Sequence, residues 1–442
     1  MLKRKLLPLL LLCLLVCSVS AFAAPPKVIS KTACLMDGET GQVLYQKNMD
    51  AQKSPASITK LMTALLVFEQ CDLDEIVTVT QSALDTVDPD SSRIGFAAGE
   101  ELSVYDLMNA MLIYSANDAA HILAEHCAGS VPKFAERMTA RAAELGCTNT
   151  NFVTPSGLDE DGHLTTAHDM AIIARALYEY PEFFIIAHRT SWLIEPDSVF
   201  PEGCQIYSRD KILFKESEFY NPEVTAAKTG WTSLAHNTFV VYAERDGRKL
   251  IAVVMDSEAA ADKYNDVNAL LEYGFTAYEI VTVDSETLYS CAETAALHAE
   301  HAVTLADGAL DGCTLSLLLP KGFTADNLAY SCRNTGDSTA ELLVHISADS
   351  EAALEKETGM TQSTVLAALP LSVEDASLTQ PVSNDIDNAV ERLGLPWIFK
   401  PLTKGILLVL SLGLIAVMLL LVVSWCIRQV FLWRKKAKQK QK

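Results

Sequence analysis

Residues 28–50 read as a β-hairpin. Residues 33–36 are apolar, Asp37-Gly38-Glu39-Thr40-Gly41 is a turn, and residues 43–45 return. After Ser54-Pro55-Ala56-Ser57 the pattern changes to helical spacing, with Ile58, Leu61, Met62, Leu65, Leu66 and Phe68 on one face. A further helix is predicted over 104–114, started by Ser103 and stopped near Ser115-Ala116-Asn117-Asp118, with others over 118–128, 131–145 and 166–179. From Glu223 the period returns to that of strands. Residues 238–244 and 250–255 are joined by Arg245-Asp246-Gly247-Arg248, and a helix over 262–273 closes the first domain. Strands, a block of helices and strands again predict an antiparallel sheet whose N- and C-terminal strands are neighbours, with helices on its faces. Residues 280–375 alternate Thr, Ser and Val around turns at Asp307-Gly308 and Asp311-Gly312 and are expected to form a small β-rich domain. Residues 376–400 read as a polar connector.

The two ends carry a different pattern. Lys3, Arg4 and Lys5 precede the apolar run 6–19 and the small-x-small Ala21-Phe22-Ala23, the layout of a cleaved secretory leader. Near the other end, residues 406–427 form an uncharged run of 22 residues. As a helix this run reaches roughly 33 Å, enough for the roughly 30 Å hydrocarbon core. Trp397, Trp425 and Trp433 sit near its two ends, and Arg428, Arg434, Lys435, Lys436, Lys438, Lys440 and Lys442 follow with no acid among them. Such a tail belongs on the cytoplasmic side, which leaves everything before it outside a single-pass cell-membrane span. The expected organisation is a leader over 1–23, a catalytic domain over 24–278 and a β-rich domain over 279–375. A linker over 376–404, a transmembrane helix over 405–427 and a basic cytoplasmic tail over 428–442 complete it.

Charge divides in the same way. The net is −21; the leader holds +3 and the tail +7, leaving −31 on residues 24–404. A surface so acidic argues against nucleic acid as a partner. Cys13 and Cys17 fall in the leader and Cys426 in the span, so eight cysteines remain outside: Cys34, Cys71, Cys127, Cys147, Cys204, Cys291, Cys313 and Cys332. An even number permits disulfides without fixing their connectivity, and free buried thiols are an equal alternative. No CxxC or Cys/His spacing points to zinc, and there is no HExxH.

Three short patterns carry the candidate chemistry. Ser57-Ile58-Thr59-Lys60 is an SxxK at a helix start, where i and i+3 side chains share a face and the amine can reach the hydroxyl. Ser115-Ala116-Asn117 is an SxN at a helix end, and Lys228-Thr229-Gly230 opens a strand-turn, Gly230 allowing close approach by a ligand. Each is common alone; Ser208-Arg209-Asp210-Lys211 is a second SxxK with no apolar helix behind it and no chemistry assigned. Their joint occurrence in this order is the signal.

On these residues the chain resembles the low-molecular-mass penicillin-binding proteins of the serine D-Ala-D-Ala carboxypeptidase family, peptidase family S11, related in fold to the serine β-lactamases. The likeness extends to Met36-Asp37-Gly38-Glu39-Thr40-Gly41, Met62-Thr63-Ala64-Leu65-Leu66, Thr154-Pro155-Ser156-Gly157-Leu158, Thr165-Thr166-Ala167-His168-Asp169-Met170-Ala171 and Lys228-Thr229-Gly230-Trp231-Thr232. It implies a fold of α/β class, a β-lactamase/transpeptidase-like domain with an antiparallel sheet flanked by helices, followed by the β-rich domain and the C-terminal transmembrane helix. It implies a penicillin-sensitive carboxypeptidase that removes the terminal D-Ala from peptidoglycan stem peptides ending in D-Ala-D-Ala, with β-lactam antibiotics as further ligands and no cofactor.

The same resemblance distributes roles. Ser57 would be the nucleophile and Lys60 its base, kept neutral by burial and by the like charge of Lys228. Ser115 would relay a proton between Lys60 and the leaving amine, and Asn117 would bind a substrate amide. Lys228, Thr229 and Thr232 would hold the terminal carboxylate, Gly230 would let the strand come close, and the backbone N–H groups of Ser57 and Trp231 would form the oxyanion hole.

Relatives often carry an arginine after the strand that follows KTG. Here residues 256–262 offer none before Lys263, so the carboxylate would lean on Lys228 or on Arg209. Among the histidines of the first domain, only His236 sits near the expected cleft rim; His121, His126, His163, His168 and His188 read as surface or packing residues. A D,D-endopeptidase or a β-lactamase of the same fold remains an alternative, as does a catalytically silent wall-binding protein. A β-lactamase would need a deacylation base, for which Asp159, Glu160 and Asp161 sit in a Gly-Leu-Asp turn without an ExxxN pattern.

Overall fold

A computed structural model describes residues 24–196, 199–297, 304–305, 310, 312–336, 339–358 and 366–374. The expected leader, linker, span and tail, and the turn at Asp307-Gly308, lie outside them. Among the described residues no helix is long and apolar enough to cross a membrane. The chain divides into two compact units. The first takes the described parts of Met1–Ser285, Gly312–Ala329 and Val344–Ala367, and the second those of Glu286–Asp311, Tyr330–Leu343 and Ala368–Lys442.

The first unit is built on a five-stranded antiparallel sheet in the order Val43–Lys47, Thr32–Asp37, Arg248–Ser257, His236–Arg245, Val224–Thr232. Leu35 and Val241 both pair with Ala252, which puts the first strand beside the last, as expected from the element order. The central strands are apolar at nearly every position because both faces are covered. Cys34, Met36, Val240, Tyr242, Ile251, Val253 and Met255 face the cluster that contains the helices Lys60–Gln70, Asn117–Ala128 and Ala167–Ala176. The alternate residues Ala33, Leu35, Phe239, Val241, Leu250, Ala252 and Val254 face the helix Ala260–Ala277.

The helices between the second and third sheet-forming segments follow their sequence signals. Ser103 caps Val104–Asn109 by accepting from the Asp106 N–H at 2.9 Å, and Thr166 caps Ala167–Ala176 by accepting from the Asp169 N–H at 3.0 Å. Asn117–Ala128 stops at Gly129, whose φ of +76° supplies the left-handed residue that ends many helices. The structure adds elements too short for a pattern of their own. Ile76–Thr78 pairs with Glu101–Ser103, Ser191–Ile194 pairs with Cys204–Tyr207, and Pro181–Ala187 is a short helix.

Strand Tyr278–Val283 pairs antiparallel with Leu315–Pro320 within the first unit. The second unit contains most of a four-stranded sheet in the order Thr304–Leu305, Ala367–Glu374, Thr339–Ile346, Leu328–Gly336. Two helices, Ser285–Leu297 and Ala348–Thr358, interrupt the stretch read from its alternation as strands. Their Ala, Glu and Leu content is strongly helix-forming, a signal that the Thr/Ser/Val pattern around them hides.

Candidate active site

Ser57 sits in a single 3-10 turn, Ala56–Thr59, that runs directly into the helix Lys60–Gln70. Ala56 is held at φ +49°, a costly conformation for alanine and a common one at functional turns. Lys60 is fully buried. Its Nζ lies 2.9 Å from Ser57 Oγ, 2.7 Å from Asn117 Oδ1 and 2.6 Å from Ser156 O. A neutral amine has two N–H groups and one lone pair. Two of the three neighbours can accept from the N–H groups, while the lone pair faces the Ser57 hydroxyl. Burial pushes the Lys60 pKa well below the usual lysine range; the charge of Lys228 adds to this and Asp118 opposes it.

The SxN motif owes its geometry to a change of helix type. Val104–Asn109 is α-helical, Ala110–Tyr114 widens to a π-turn, and Ser115 ends it at φ +67°. Asn117 then opens the next helix. Ser115 accepts a 3.0 Å hydrogen bond from Lys228 Nζ, so its partner is Lys228, not the Lys60 expected from the relay reading. Asn117 likewise directs its oxygen at Lys60, where the sequence suggested a substrate amide.

Lys228-Thr229-Gly230 lies near the end of strand Val224–Thr232, where the chain turns into the next strand. Lys228 is 1% exposed, donates also to Thr229 O at 2.8 Å, and is brought down to about 8 by burial, with Asp210 opposing and Arg209 and Lys263 adding. Asp210, from the SxxK-like segment to which no chemistry was assigned, accepts the Thr229 N–H at 3.0 Å and so fixes the strand. Gly230 is needed for a close approach, but to the protein itself. A Cβ there would stand 2.7 Å from Ser57 N and collide with Thr238 Oγ1. Trp231 is 66% exposed. Thr232 Oγ1 and Ser54 Oγ both donate to Asp159 Oδ1, at 2.9 and 2.8 Å, which occupies that carboxylate in bridging the two sides.

These groups border a cavity of about 700 Å³. Ser57, Ser115, Asn117, Thr229, Gly230 and Trp231 reach its wall, while Lys60 and Lys228 stand behind it. The cations that line the cavity are Arg209, whose guanidinium lies 4.3 Å from the Tyr114 ring centroid, and Lys263. Lys263 is 6% exposed, and burial lowers its pKa to about 8. It occupies the stretch where the sequence lacks an arginine. Asp88, Asp90 and Glu160 form an acidic lip.

Sequence reasoning missed the second support of the nucleophile turn. Ser156 O receives Lys60, Pro155 O accepts from Thr63 Oγ1 at 2.6 Å, and Gly157, at φ +84°, lies so close that a Cβ would strike Ala56 O. His121 Nε2 is 3.0 Å from Ser156 Oγ, and His163 Nε2 is 2.9 Å from Thr59 Oγ1. Burial lowers both imidazoles to about 4, so they stay neutral. Their packing role agrees with the sequence reading, although His121 also touches the cavity. His236, singled out for its place near the rim, is instead paired with Asp256 at 2.8 Å, in a cluster with Lys31 and Lys53. In the sequence, the likeness of Thr154-Pro155-Ser156-Gly157-Leu158 to the family is the one signal that points to the Ser156 support.

The sequence profile of the D-alanyl-D-alanine carboxypeptidase family matches residues 19–259. The chain is 32% identical over 254 residues to the D-alanyl-D-alanine carboxypeptidase DacF of Bacillus subtilis, covering 57% of this chain and 63% of that one. It is 35% identical over 277 residues to DacC of Escherichia coli, covering 60% and 66%. The chain thus spans a little under two thirds of the length of these curated relatives. Among solved structures, penicillin binding protein 6B from Escherichia coli superposes with a TM-score of 0.57 at 25% identity, covering 79% of this chain and 97% of that one. A D-alanyl-D-alanine carboxypeptidase from Mycobacterium tuberculosis superposes with a TM-score of 0.52 at 29% identity, covering 57% and 94%. The α/β fold of the first unit is that of the penicillin-binding and transpeptidase enzymes.

Proposed function

This chain belongs to the D-alanyl-D-alanine carboxypeptidase family, and on that premise we propose that it is a serine D,D-carboxypeptidase acting on peptidoglycan stem peptides through an acyl-enzyme on Ser57. The observation that carries the reading is the buried Lys60 amine at 2.9 Å from Ser57 Oγ, whose desolvation favours the neutral form that can accept a proton. Lys60 takes the Ser57 proton as Oγ attacks the carbonyl between the two D-alanines. The oxyanion forms between the N–H groups of Ser57 and Trp231, a pairing supported by the tight approach of Gly230 to Ser57 N. The proton on Lys60 reaches the leaving D-Ala nitrogen once the Ser115 hydroxyl turns from Lys228 to relay it, and water then hydrolyses the ester.

Carboxylate recognition differs from the sequence expectation in its emphasis. Lys228 stands behind the wall, so its charge acts through Ser115 and Thr229, while Arg209 and Lys263 meet the ligand directly. A penicillin, with its own carboxylate, would enter the same way and acylate Ser57. The uncharged run 406–427 and the basic tail support a single-pass anchor with the catalytic unit outside the cell.

The test is incubation of the purified full chain with a pentapeptide stem and with a fluorescent penicillin. Release of D-Ala and covalent label on wild type, both lost in Ser57→Ala, are expected. Label retained by Ser57→Ala would refute the assignment.

A further inference from the structure

A second cluster of reactive side chains lies outside the cavity, at the far ends of the two helices that carry the active-site residues at their starts. Cys71 directly follows Lys60–Gln70, His126 sits in the last turn of Asn117–Ala128, and Glu75 immediately precedes strand Ile76–Thr78. One ligand atom from each of Cys71, Glu75 and His126 lies within 4.8 Å of the others. His126 Nε2 is 3.2 Å from Glu75 Oε2. Nitrogen and oxygen donors of a tetrahedral zinc, each about 2.0–2.1 Å from the metal, stand about 3.3 Å apart, so this pair is already at bonding separation. Cys127, hydrogen-bonded to Cys71, is the residue after His126 in the chain. None of the four lines the cavity.

We propose that Cys71, Glu75 and His126 form a binding site for a zinc-class divalent ion, with Cys127 as the adjacent fourth donor, clamping the ends of the two helices together. The donor set decides the class of ion. A thiolate with an imidazole favours zinc and its transition-metal neighbours over magnesium and calcium, which need oxygen shells. The residues are only partly buried, so the ion has an entry path. Spacing along the chain hides the site because its ligands come from three elements. A metal here would be structural. It would fix the helix that begins with Lys60 against the helix that begins with Asn117, whose 2.7 Å contact orders the nucleophile.

The experiment is a cobalt titration of the purified full chain, kept reduced with a phosphine. Expected is a thiolate-to-cobalt absorption band that saturates at about one equivalent, is displaced by zinc, and accompanies a rise in the thermal midpoint. Cys71→Ser and His126→Ala, each checked for folding by circular dichroism, should weaken binding by at least about tenfold, the loss that changes even to outer-sphere partners cause. Cys313→Ser, a substitution at an exposed cysteine outside the cluster, should bind as wild type does. Absence of the band in wild type would overturn the proposal, as would its persistence in Cys71→Ser. So would a Cys71–Cys127 disulfide in the protein as isolated. The readout does not depend on penicillin or peptide turnover, so its failure leaves the carboxypeptidase reading standing.

Discussion

Two buried amines stand behind the same cleft, and the proposed acyl transfer needs them in opposite protonation states. Lys60 must be neutral to accept the Ser57 proton, and Lys228 must be charged to favour an anion in the cavity. Burial lowers both, Lys60 well below the ordinary lysine range and Lys228 to about 8. Penicillin acylation should therefore rise with pH as Lys60 loses its proton, about tenfold per unit on that limb, and fall again above about 8 as Lys228 and Lys263 lose theirs. In Lys228→Arg the guanidinium stays charged, so the alkaline fall should become shallower, with the Lys263 part remaining. Stopped-flow acylation from pH 5 to 10 measures both limbs, and identical alkaline limbs in the two proteins would remove Lys228 from the carboxylate role. Ser57, Lys60, Ser115, Asn117 and Lys228 could be singled out in the sequence because each motif keeps its parts within four residues. Ser156, His121 and Lys263 were not legible as site residues, since their relevance arises only where separate segments meet.

The Thr154–Leu158 segment shows what an element without regular structure can fix. It presents two carbonyls and a bare glycine to the nucleophile turn, and each contact needs its backbone within a few tenths of an ångström. Gly157→Ala adds a methyl group that strikes Ala56 O and forces an alanine into the left-handed region. It should cost at least about 2 kcal/mol in urea unfolding and slow acylation sharply. Gly247→Ala is the matched control, with φ +79° and open space around it, and should cost only about 1 kcal/mol with acylation unchanged. Equal losses in the two variants would mean that the contact with Ala56 is unimportant. The hairpin and the long helices were readable from periodicity because they span several repeats. The paired segments Ile76–Thr78 and Glu101–Ser103 were missed because three residues hold too little of any period.

Across the whole molecule, the order of elements was enough to predict that the first and last strands of the sheet are neighbours. It was not enough to reveal the helices that interrupt the β-rich stretch. Arg248–Ser257 is the middle strand, paired on one side with Thr32–Asp37 and on the other with His236–Arg245. A fragment ending at residue 247 should therefore show no cooperative thermal transition by circular dichroism, because both neighbours lose their ladder and two cores lose a wall. A sharp transition in that fragment would show that the helices fold without the sheet. The pairing of Leu35 with Ala252 also sets a timetable. A chain threaded head first from a ribosome or through a membrane pore has residues 32–37 out early, with only Val43–Lys47 to pair with, and leaves their other edge open until residue 257 has emerged. Until then it stays slack enough to be drawn through a narrow channel, and the pocket closes only after the thread is through.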